Sequence, residues 1–497
     1  MSNTEEIEKL KQQLTALEQQ VQSLTEDKIE LQSQLQHVLA QLKLSRSKRF
    51  GKQSEKAPKG TFNEAEQSKP KNPPKHHNKG RKALPEHLER EEVIYEIEKP
   101  VCQCCGEGMQ ACGSEESEQL KIIPAKISVI KHKRTKYVCR HCEQTNTKTS
   151  IITAPKPAQP IPQSIASAEA LAAVVTAKYC DALPLYRQAE ILKRGGLDIS
   201  RSTLANWCIK SANLAKPVVD LFRRHLIAQS SLCADETRVQ VLAEPGKAAS
   251  TNSYMWVYRN SEYSEQPVVI YDYQPGRGHQ YPEAFLKGFS GHLLCDGYAA
   301  YGCLENVTLA CCWAHVRRYY TDALKAQPKK TGRATVALSY IQKLYAIEQQ
   351  ARKLSPEKRV ALRQEKAKPI LEKFKRWLDE AQPLVTPKNY IGKAISYTLN
   401  RWDELCQYLE HGDLGIDNNV TERDIRPFTT GRKNWMFSQS VNGANASAVL
   451  YSLVMTCRAN DINPYYYFQH LFEELPKREK GSDLTDLLPW NIEFEVE

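Results

Sequence analysis

The stretch from Ser230 to Glu305 decides the fold. It reads SSLCADETRVQVL (230–242), SYMWVYRN (253–260), PVVIYDYQP (267–275), YPEAFLKGF (281–289) and GHLLCDGYAAY (291–301). Short apolar runs rich in β-branched and aromatic residues are typical of strands, whereas the fourth segment favours a helix. The order strand, strand, strand, helix, strand predicts an α/β core built around a sheet.

Two aspartates in this core are candidate catalytic residues. Asp235 lies within the first strand, and Asp296 follows the last strand, where the Asp-Gly pair predicts a turn. Acids on neighbouring strands can converge on one point, and converging carboxylates repel each other unless a hard cation such as Mg²⁺ lies between them. This arrangement suits metal-assisted displacement at phosphorus. The alternative is that both residues are ordinary turn acids.

Length and cysteine content narrow the class of protein. A chain of 497 residues can hold several domains, and it contains no apolar run of about 18 residues that would span a membrane. The N-terminus is polar and lacks the pattern of a signal peptide. Fifteen cysteines without such a signal favour a reducing compartment, with thiols buried or bound to metal. We therefore expect a cytosolic protein with no membrane partner.

The positive charge is concentrated in one segment. The chain has 69 Lys and Arg against 58 Asp and Glu, and residues 43–83 alone hold 13 basic and 3 acidic residues, 13 − 3 = +10. This segment is too polar to fold alone, so we interpret it as a flexible linker that touches nucleic-acid phosphate. A merely solvated tail is the alternative. Its candidate contacts are Arg46, Lys48, Arg49 and Lys52.

A heptad repeat occupies residues 7–42. Ten of its eleven a and d positions are aliphatic, and no proline or glycine interrupts them. Lys28 is the exception, at an a position, where a polar residue helps to fix the register of a coiled coil. The repeat predicts a coiled coil that pairs two copies of the chain; an intramolecular helical hairpin is the alternative.

Two pairs of cysteines have the spacing of a zinc site: Cys102, Cys105, Cys139 and Cys142. The gap between the pairs is 139 − 105 − 1 = 33 residues, wide enough to contain two strands. Four thiolates in this pattern suit one structural Zn²⁺, and four buried free cysteines are the alternative. Cys104 and Cys112 leave the ligands of the first pair open. Lys133 and Arg134, close to the second pair, are candidate phosphate contacts.

After a proline-rich hinge (155–162), the chain is predicted to be helical. The segment LPLYRQAEILKRGGLDISRSTLANWCIKSA (183–212) reads as helix, glycine turn and helix, with Ser200 or Ser202 capping the second helix. Such a helix pair can place one helix in the major groove, where Arg201 is the candidate contact. A helical hairpin that binds no DNA is the alternative.

Two further segments follow the core strands. VTLACCWAHVRRYY (307–320) reads as a strand that leads into a helix carrying Cys312-x-x-His315, and about ninety mostly helical residues come next. GIDNNVTERDIRPFTTGRKNWMFS (415–438) is then dense in polar and basic residues, close to Trp435 and Phe437. A solvated face is the alternative explanation of these charges.

These segments together resemble a known family. The residues that carry the resemblance are CADET (233–237), CDGYAAY (295–301), CWAHVRRYY (312–320) and DNNVTERDIRPFTTGRKNWMFS (417–438). RSKRFGKQSEK (46–56), KYVCRHCE (136–143) and DINPYYYFQHLFEELP (461–476) extend it over nearly the whole chain. The chain resembles the large transposase of the insertion-sequence family numbered sixty-six.

The resemblance implies a DDE transposase with a ribonuclease-H-like core, a mixed sheet with flanking helices. Asp235, Asp296 and Glu422 match its three acids, which would hold two Mg²⁺ or Mn²⁺ ions. Cys312 and His315 match an element that supports the active site, and the four cysteines match a zinc-binding element. The candidate phosphate contacts near the third acid are Arg423, Arg426, Arg432 and Lys433. DNA is the implied partner, as terminal inverted repeats and target, with small accessory proteins of the same element.

The resulting domain organisation has eight parts. They are a coiled coil (1–45), a basic linker (46–95), a zinc-binding domain (96–152), a helix-turn-helix-like region (163–227), the first part of the core (228–320), a helical insertion (321–412), the third-acid segment (413–460) and a C-terminal element (461–497). Two other functions stay open. One is a dimeric zinc-containing regulator that binds DNA without catalysis, and the other is a metal-dependent nuclease that does not join strands.

Overall fold

The computed structural model describes residues 127–138, 151–326 and 332–492, together with Leu35 and Leu39. The heptad repeat apart from these two leucines, the basic linker and the four predicted zinc cysteines lie outside the described residues. The chain divides into two compact units, and the main part of the larger one begins at Lys156, within the predicted proline-rich hinge.

The described part of the smaller unit is a two-stranded ribbon. Strand β1 (Lys136–Val138) pairs antiparallel with β2 (Ile151–Thr153). The Arg134 Nε donates a hydrogen bond of 2.6 Å to the Ala154 carbonyl just beyond β2. Lys133 and Arg134 are both exposed to solvent.

The larger unit opens with three helices, α1 (Ala168–Tyr179), α2 (Leu185–Arg194) and α3 (Arg201–Ile227). The glycine turn and the helices on either side of it are confirmed. Gly196 adopts a φ of +86°, a left-handed conformation that suits glycine because it lacks a Cβ. Ser200 is the N-cap of α3, since its hydroxyl accepts the Thr203 N–H at 3.1 Å.

A mixed sheet forms the centre of the larger unit. Its strands are β3 (Ser231–Ala243), β4 (Asn252–Asn260), β5 (Val269–Gln274), β6 (Gly291–Cys295) and β7 (Val307–Cys311), and helix α4 (Gln280–Phe285) precedes β6. The spatial order is β5-β4-β3-β6-β7. Neighbours among β3, β4 and β5 run antiparallel, whereas β6 and β7 run parallel to β3. The predicted order of strands and helix is confirmed.

Six helices follow the sheet strands, as the helical periodicity predicts. They are α5 (Trp313–Ala326), α6 (Arg333–Ala351), α7 (Pro356–Leu362), α8 (Lys368–Ala381), α9 (Tyr390–Asn400) and α10 (Trp402–Cys406). Their apolar faces form one buried core that includes Phe374 of α8 and reaches Leu294 and Ala310 of the sheet. Because apolar area leaves water on both sides of this contact, the helices and the sheet stabilise each other.

The last elements of the chain complete the sheet and cover one of its edges. They are α11 (Asn419–Trp435), β8 (Ser438–Ser440), α12 (Val441–Ala459) and α13 (Pro464–Glu474). Strand β8 pairs parallel with the far end of β3. Helix α12 covers the edge strand β5, where the Ser452 and Thr456 hydroxyls accept the N–H groups of Tyr271 and Val269 at 2.8 and 3.1 Å. These bonds satisfy backbone groups that an edge strand otherwise leaves unpaired.

Two absences concern the described residues alone. None of their helices is long and apolar enough to cross a membrane. Their nine cysteines are all free, and Cys303 is the exposed one among them.

Candidate active site

The register of two parallel strands brings Asp235 and Asp296 side by side. In the β3–β6 pair, Ser231 faces His292 and Cys233 faces Leu294, a constant offset of 292 − 231 = 61 residues. The same offset separates the two aspartates, 296 − 235 = 61, so both lie two residues beyond the last of these pairs. Neighbouring strands run about 4.8 Å apart, which places the two backbones close together where β6 ends beside β3.

The third acid, Glu422, lies in the first turn of α11, and that helix is attached to β3 at its start. The Asn418 side chain is fully buried, and its Nδ2 donates a hydrogen bond of 2.9 Å to the Ala234 carbonyl. The Asn418 N–H in turn approaches the Cys312 sulfur at 3.2 Å. Ala234 directly precedes Asp235, so these contacts bring the segment of the third acid to the strand of the first.

The pKa of Asp235 reports the proximity of the acids. It is raised to about 7, first because the carboxyl is buried and then because Glu236, Asp296 and Glu422 carry negative charge nearby. Hydrogen bonds orient the two aspartates, since Asp235 Oδ1 accepts the Glu236 N–H at 2.8 Å and Asp296 Oδ1 accepts the Tyr298 N–H at 2.9 Å. Three segments distant in sequence thus share one electrostatic environment.

Helix α5 presents two nitrogen-bearing side chains to Glu422. The Arg318 guanidinium lies 3.1 Å from Glu422 Oε1, and the His315 Nε2 lies 3.8 Å from the same atom. The His315 pKa is lowered by burial and by the neighbouring Arg318 charge, and the buried Nδ1 of His315 has no hydrogen-bond partner. The predicted Cys312 and His315 therefore both contact the third-acid segment.

The donor chemistry of the three acids suits a hard divalent cation, because carboxylate oxygens are the ligands that Mg²⁺ prefers. The side chains as they lie do not gather around one point: among the described residues, no three His, Cys, Asp or Glu side chains are placed to hold one ion. Glu422 instead pairs with Arg318. Metal binding would therefore require the Glu422 side chain to turn away from Arg318.

A fourth carboxylate, which the sequence analysis did not single out, is held next to the acids. The Glu236 side chain is almost wholly buried and accepts hydrogen bonds from Arg277 Nε at 2.7 Å and from the Tyr301 hydroxyl at 3.0 Å. The Arg277 guanidinium also lies 3.7 Å above the Tyr298 ring. This network ties the strand of Asp235 to the turn after Asp296. Its signals in the sequence are the acid beside Asp235 and the motif PGRGH (275–279).

The predicted phosphate contacts lie in several places, and Lys133 and Arg134 of the smaller unit are exposed. Arg432 lines a cavity of about 310 Å³ beside Glu236. The other basic residues of the third-acid segment are exposed on α11, and Arg201 is exposed at the start of α3. The four residues predicted in the basic linker, Arg46, Lys48, Arg49 and Lys52, lie outside the described residues, as do Cys102, Cys105, Cys139 and Cys142.

Comparison with known protein families gives three matches along the chain. Residues 163–446 match the Transposase IS66 family, which is more than half of the sequence. Residues 452–490 match the IS66 C-terminal element. Residues 99–143 match the zinc-finger binding domain of transposase IS66, and this segment contains the four predicted zinc ligands.

Several similar proteins come from Sinorhizobium fredii (strain NBRC 101917 / NGR234). The uncharacterized protein y4qI is 32% identical over 446 residues, which cover 87% of this chain and 80% of the relative. The uncharacterized protein y4jD is 32% identical over 422 residues, covering 82% of this chain and 81% of the relative. The uncharacterized protein y4hP is 31% identical over 433 residues, covering 82% and 76%.

Proposed function

The chain belongs to the IS66 family of transposases, and from this we propose that it binds the terminal inverted repeats of an insertion sequence and catalyses metal-dependent strand cleavage and strand transfer. The observation that carries the proposal is that the β3–β6 register and the Asn418–Ala234 hydrogen bond bring the segments of Asp235, Asp296 and Glu422 together, although 61 and 126 residues separate these acids in sequence. The negative charges of Asp296 and Glu422 both raise the pKa of Asp235, and no cation is among the causes of that shift.

Asp235, Asp296 and Glu422 would hold the divalent cations, Mg²⁺ or Mn²⁺. When bound, such ions activate an attacking oxygen and stabilise the leaving oxygen of an in-line displacement at phosphorus. The chain itself holds the acids in position. The β3–β6 register aligns the two aspartates, and Asn418 and Cys312 hold the helix that carries Glu422. Little covalent work falls to the protein in such a reaction, so these contacts decide the rate.

The architecture supports a ribonuclease-H-like core. The mixed sheet is covered by helices, and Asp235 lies within β3 beside the end of β6, which Asp296 follows. The helical insertion (321–412) separates both aspartates from the third-acid segment (413–460). We propose the other domain boundaries as predicted from the sequence.

The remaining segments would recognise DNA and pair two protomers. We propose that the zinc-binding domain (96–152) and the helices around Arg201 bind the terminal repeats, with Lys133, Arg134 and the basic linker adding phosphate contacts. The exposed residues Arg423, Arg426 and Lys433 would contact phosphate near the acids. The coiled coil (1–45) would join two chains, because two transposon ends must meet in one complex.

The zinc proposal has its own test. Purified protein should contain one Zn²⁺ per chain, and simultaneous replacement of Cys139 and Cys142 by Ser should remove it, because both changes delete thiolate ligands of the same site. Metal content is measured by atomic emission. Stoichiometric zinc in the double variant would refute the site.

The function is tested by a cleavage and joining assay. Purified protein is incubated with Mg²⁺ and a labelled DNA end carrying the terminal repeat, and Asp296→Ala serves as the inactive control. Joined products in the wild type that disappear in the variant support the proposal. Cleavage without joined products would indicate a nuclease. DNA binding without cleavage, even with the accessory proteins of the element present, would indicate the regulator.

A further inference from the structure

A small cavity next to the acids has an unusual lining. It is about 310 Å³ in volume and lies between β3, β4, the loop after β5 and the end of α11. We call it the arginine cleft, and its lining residues are Glu236, Thr237, Arg238, Tyr254, Arg277 and Arg432. Three of these six side chains are guanidinium groups and one is a carboxylate, so the lining carries a formal charge of 3 − 1 = +2.

The excess positive charge has no acidic partner among the described residues. Arg277 pairs with Glu236, the one carboxylate of the lining. The Arg432 guanidinium donates instead to neutral oxygens, the Arg238 carbonyl and, at 3.4 Å, the Thr237 hydroxyl. Burial lowers the pKa of Arg432. Arg238 is exposed, and within the described part of the chain it forms no ion pair.

The arginine cleft is held in place before any ligand binds. The Trp256 Nε1 donates to the Gly276 carbonyl at 3.3 Å, and the Tyr298 hydroxyl donates to the Arg277 carbonyl at 2.8 Å, so the loop that carries Arg277 is fixed on both sides. The Tyr298 ring also lies against the guanidinium. Fixed donors lower the entropy that binding costs.

The arginine cleft adjoins the proposed catalytic acids. The hydroxyl and the ring of Tyr298, two residues after Asp296, contact Arg277, and the charge of Asp296 acts on Arg277. An anion in the cleft would therefore lie near Asp296, where the positive lining offsets the repulsion that the acid exerts on a phosphate.

Guanidinium groups match the geometry of phosphate oxygens, and Tyr254 adds an aromatic face to the lining. The volume lies at the lower limit of ligand cavities, which fits one nucleotide rather than a duplex. We propose that the arginine cleft binds one phosphodiester group of a single DNA strand, next to the group that is processed at the three acids, with Tyr254 beside its sugar or base. The assignment of the strand rests on the proposed function, whereas the preference for a phosphate anion does not.

The test measures binding without catalysis. A fluorescent single-stranded DNA of about 20 nucleotides is titrated with full-length protein in EDTA at several salt concentrations, using fluorescence anisotropy. The variants are Arg238→Gln, which changes an exposed side chain and leaves the fold intact, and the double variant Arg238→Gln/Arg432→Gln. Arg376→Gln is the matched control, an exposed arginine on α8 outside the cleft.

We expect each lost contact to weaken binding about tenfold and to reduce the slope of log K against log salt by about 0.7, the value for one phosphate of a single strand. Arg376→Gln should change neither quantity. A DNA strand with neutral methylphosphonate linkages should bind the wild type and the double variant equally. Equal affinities and slopes for phosphodiester DNA in the wild type and the double variant would overturn the proposal, as would a difference that persists on the neutral strand.

The same data separate this inference from the proposed function. If the wild type binds DNA through the arginine cleft but never cleaves it, the proposed transposase activity is refuted and the phosphate site stands. If the wild type cleaves and joins DNA, and the cleft variants bind and react as it does, the phosphate site alone is refuted.

Discussion

Two regions of this protein hold charged side chains away from solvent, and they differ in whether an opposite charge pairs with them. In the helical insertion, a π-helical segment (Arg363–Ala367) joins α7 to α8. Arg363 is fully buried there, and its guanidinium binds both oxygens of Glu348 at 2.8 and 2.7 Å. It also donates to the Tyr408 and His411 carbonyls. Within the sheet, Asp235 is half-buried beside other acids, and its pKa rises to about 7.

The buried ion pair of the insertion fits a structural role, whereas the acids around Asp235 fit the proposed function. A buried ion pair with all its hydrogen bonds satisfied holds elements together and leaves nothing to bind a ligand. Carboxylates that face one another cost stability in the absence of a cation, and a fold keeps such a group where a ligand or a reaction uses it. Substitutions in the two regions should therefore have opposite signatures.

The largest expected effect is on activity, at the third acid. Glu422→Gln should lower the rate of strand cleavage by about 10³-fold or more, because it removes a cation ligand at the reacting centre. Its melting temperature should change little, since the substitution removes both the repulsion on Asp235 and the exposed ion pair with Arg318. Cleavage assays and differential scanning fluorimetry measure the two quantities. Cleavage at the wild-type rate would show that Glu422 is not the third acid.

In the insertion, the expected effect is on stability. Glu348→Ala leaves the buried Arg363 charge without its partner and should destabilise the fold by about 3–5 kcal/mol. Asp379→Ala is the control, because its pair with Lys375 on α8 is exposed and worth less than about 0.5 kcal/mol. Urea unfolding compares the two variants. Equal midpoints would contradict the view that the buried pair is structural.

A smaller and mixed effect is expected at Asn418, which connects the third-acid helix to the sheet. Asn418→Ala leaves the buried Ala234 carbonyl without its donor, at a cost of about 1–3 kcal/mol. It should also lower the maximal cleavage rate by about 10–100-fold, with little change in DNA affinity, because Glu422 loses its position. Asn419→Ala, at the exposed neighbouring position, is the control. A variant that loses stability but keeps its maximal rate would restrict Asn418 to a structural role.

The smallest effect is the pH dependence of stability in EDTA. The pKa of Asp235 is about 7 in the folded chain and about 4 in an unfolded one. Between these values the folded state binds more protons, so the free energy of unfolding falls as pH rises, by about 1 kcal/mol between pH 6 and pH 7. Asparagine cannot titrate, so Asp235→Asn should reduce this fall in the free energy of unfolding. Urea unfolding at each pH measures the free energy. Identical pH profiles for the wild type and the variant would contradict the raised pKa.

Much of the fold could be predicted from local patterns. The strands around Asp235 and Asp296 and the helices on either side of Gly196 follow from hydrophobic spacing and turn residues, because these depend on neighbours in sequence. The role of Arg277 could not be predicted in this way. An arginine between two glycines reads as a loop residue, and only the approach of β3 and the turn after Asp296 supplies Glu236 and Tyr298 as its partners.

The sequence by itself determined the elements and the family, and it predicts the three acids, since each is written in a short run of residues. The tertiary structure decided which of these acids share an environment. The β3–β6 register aligns the aspartates, and the hydrogen bond from Asn418 to Ala234 brings in a helix from 184 positions away. The tertiary structure also places three arginines and one acid around a cleft near the predicted acids. Such contacts depend on how distant segments pack, and no local pattern records them.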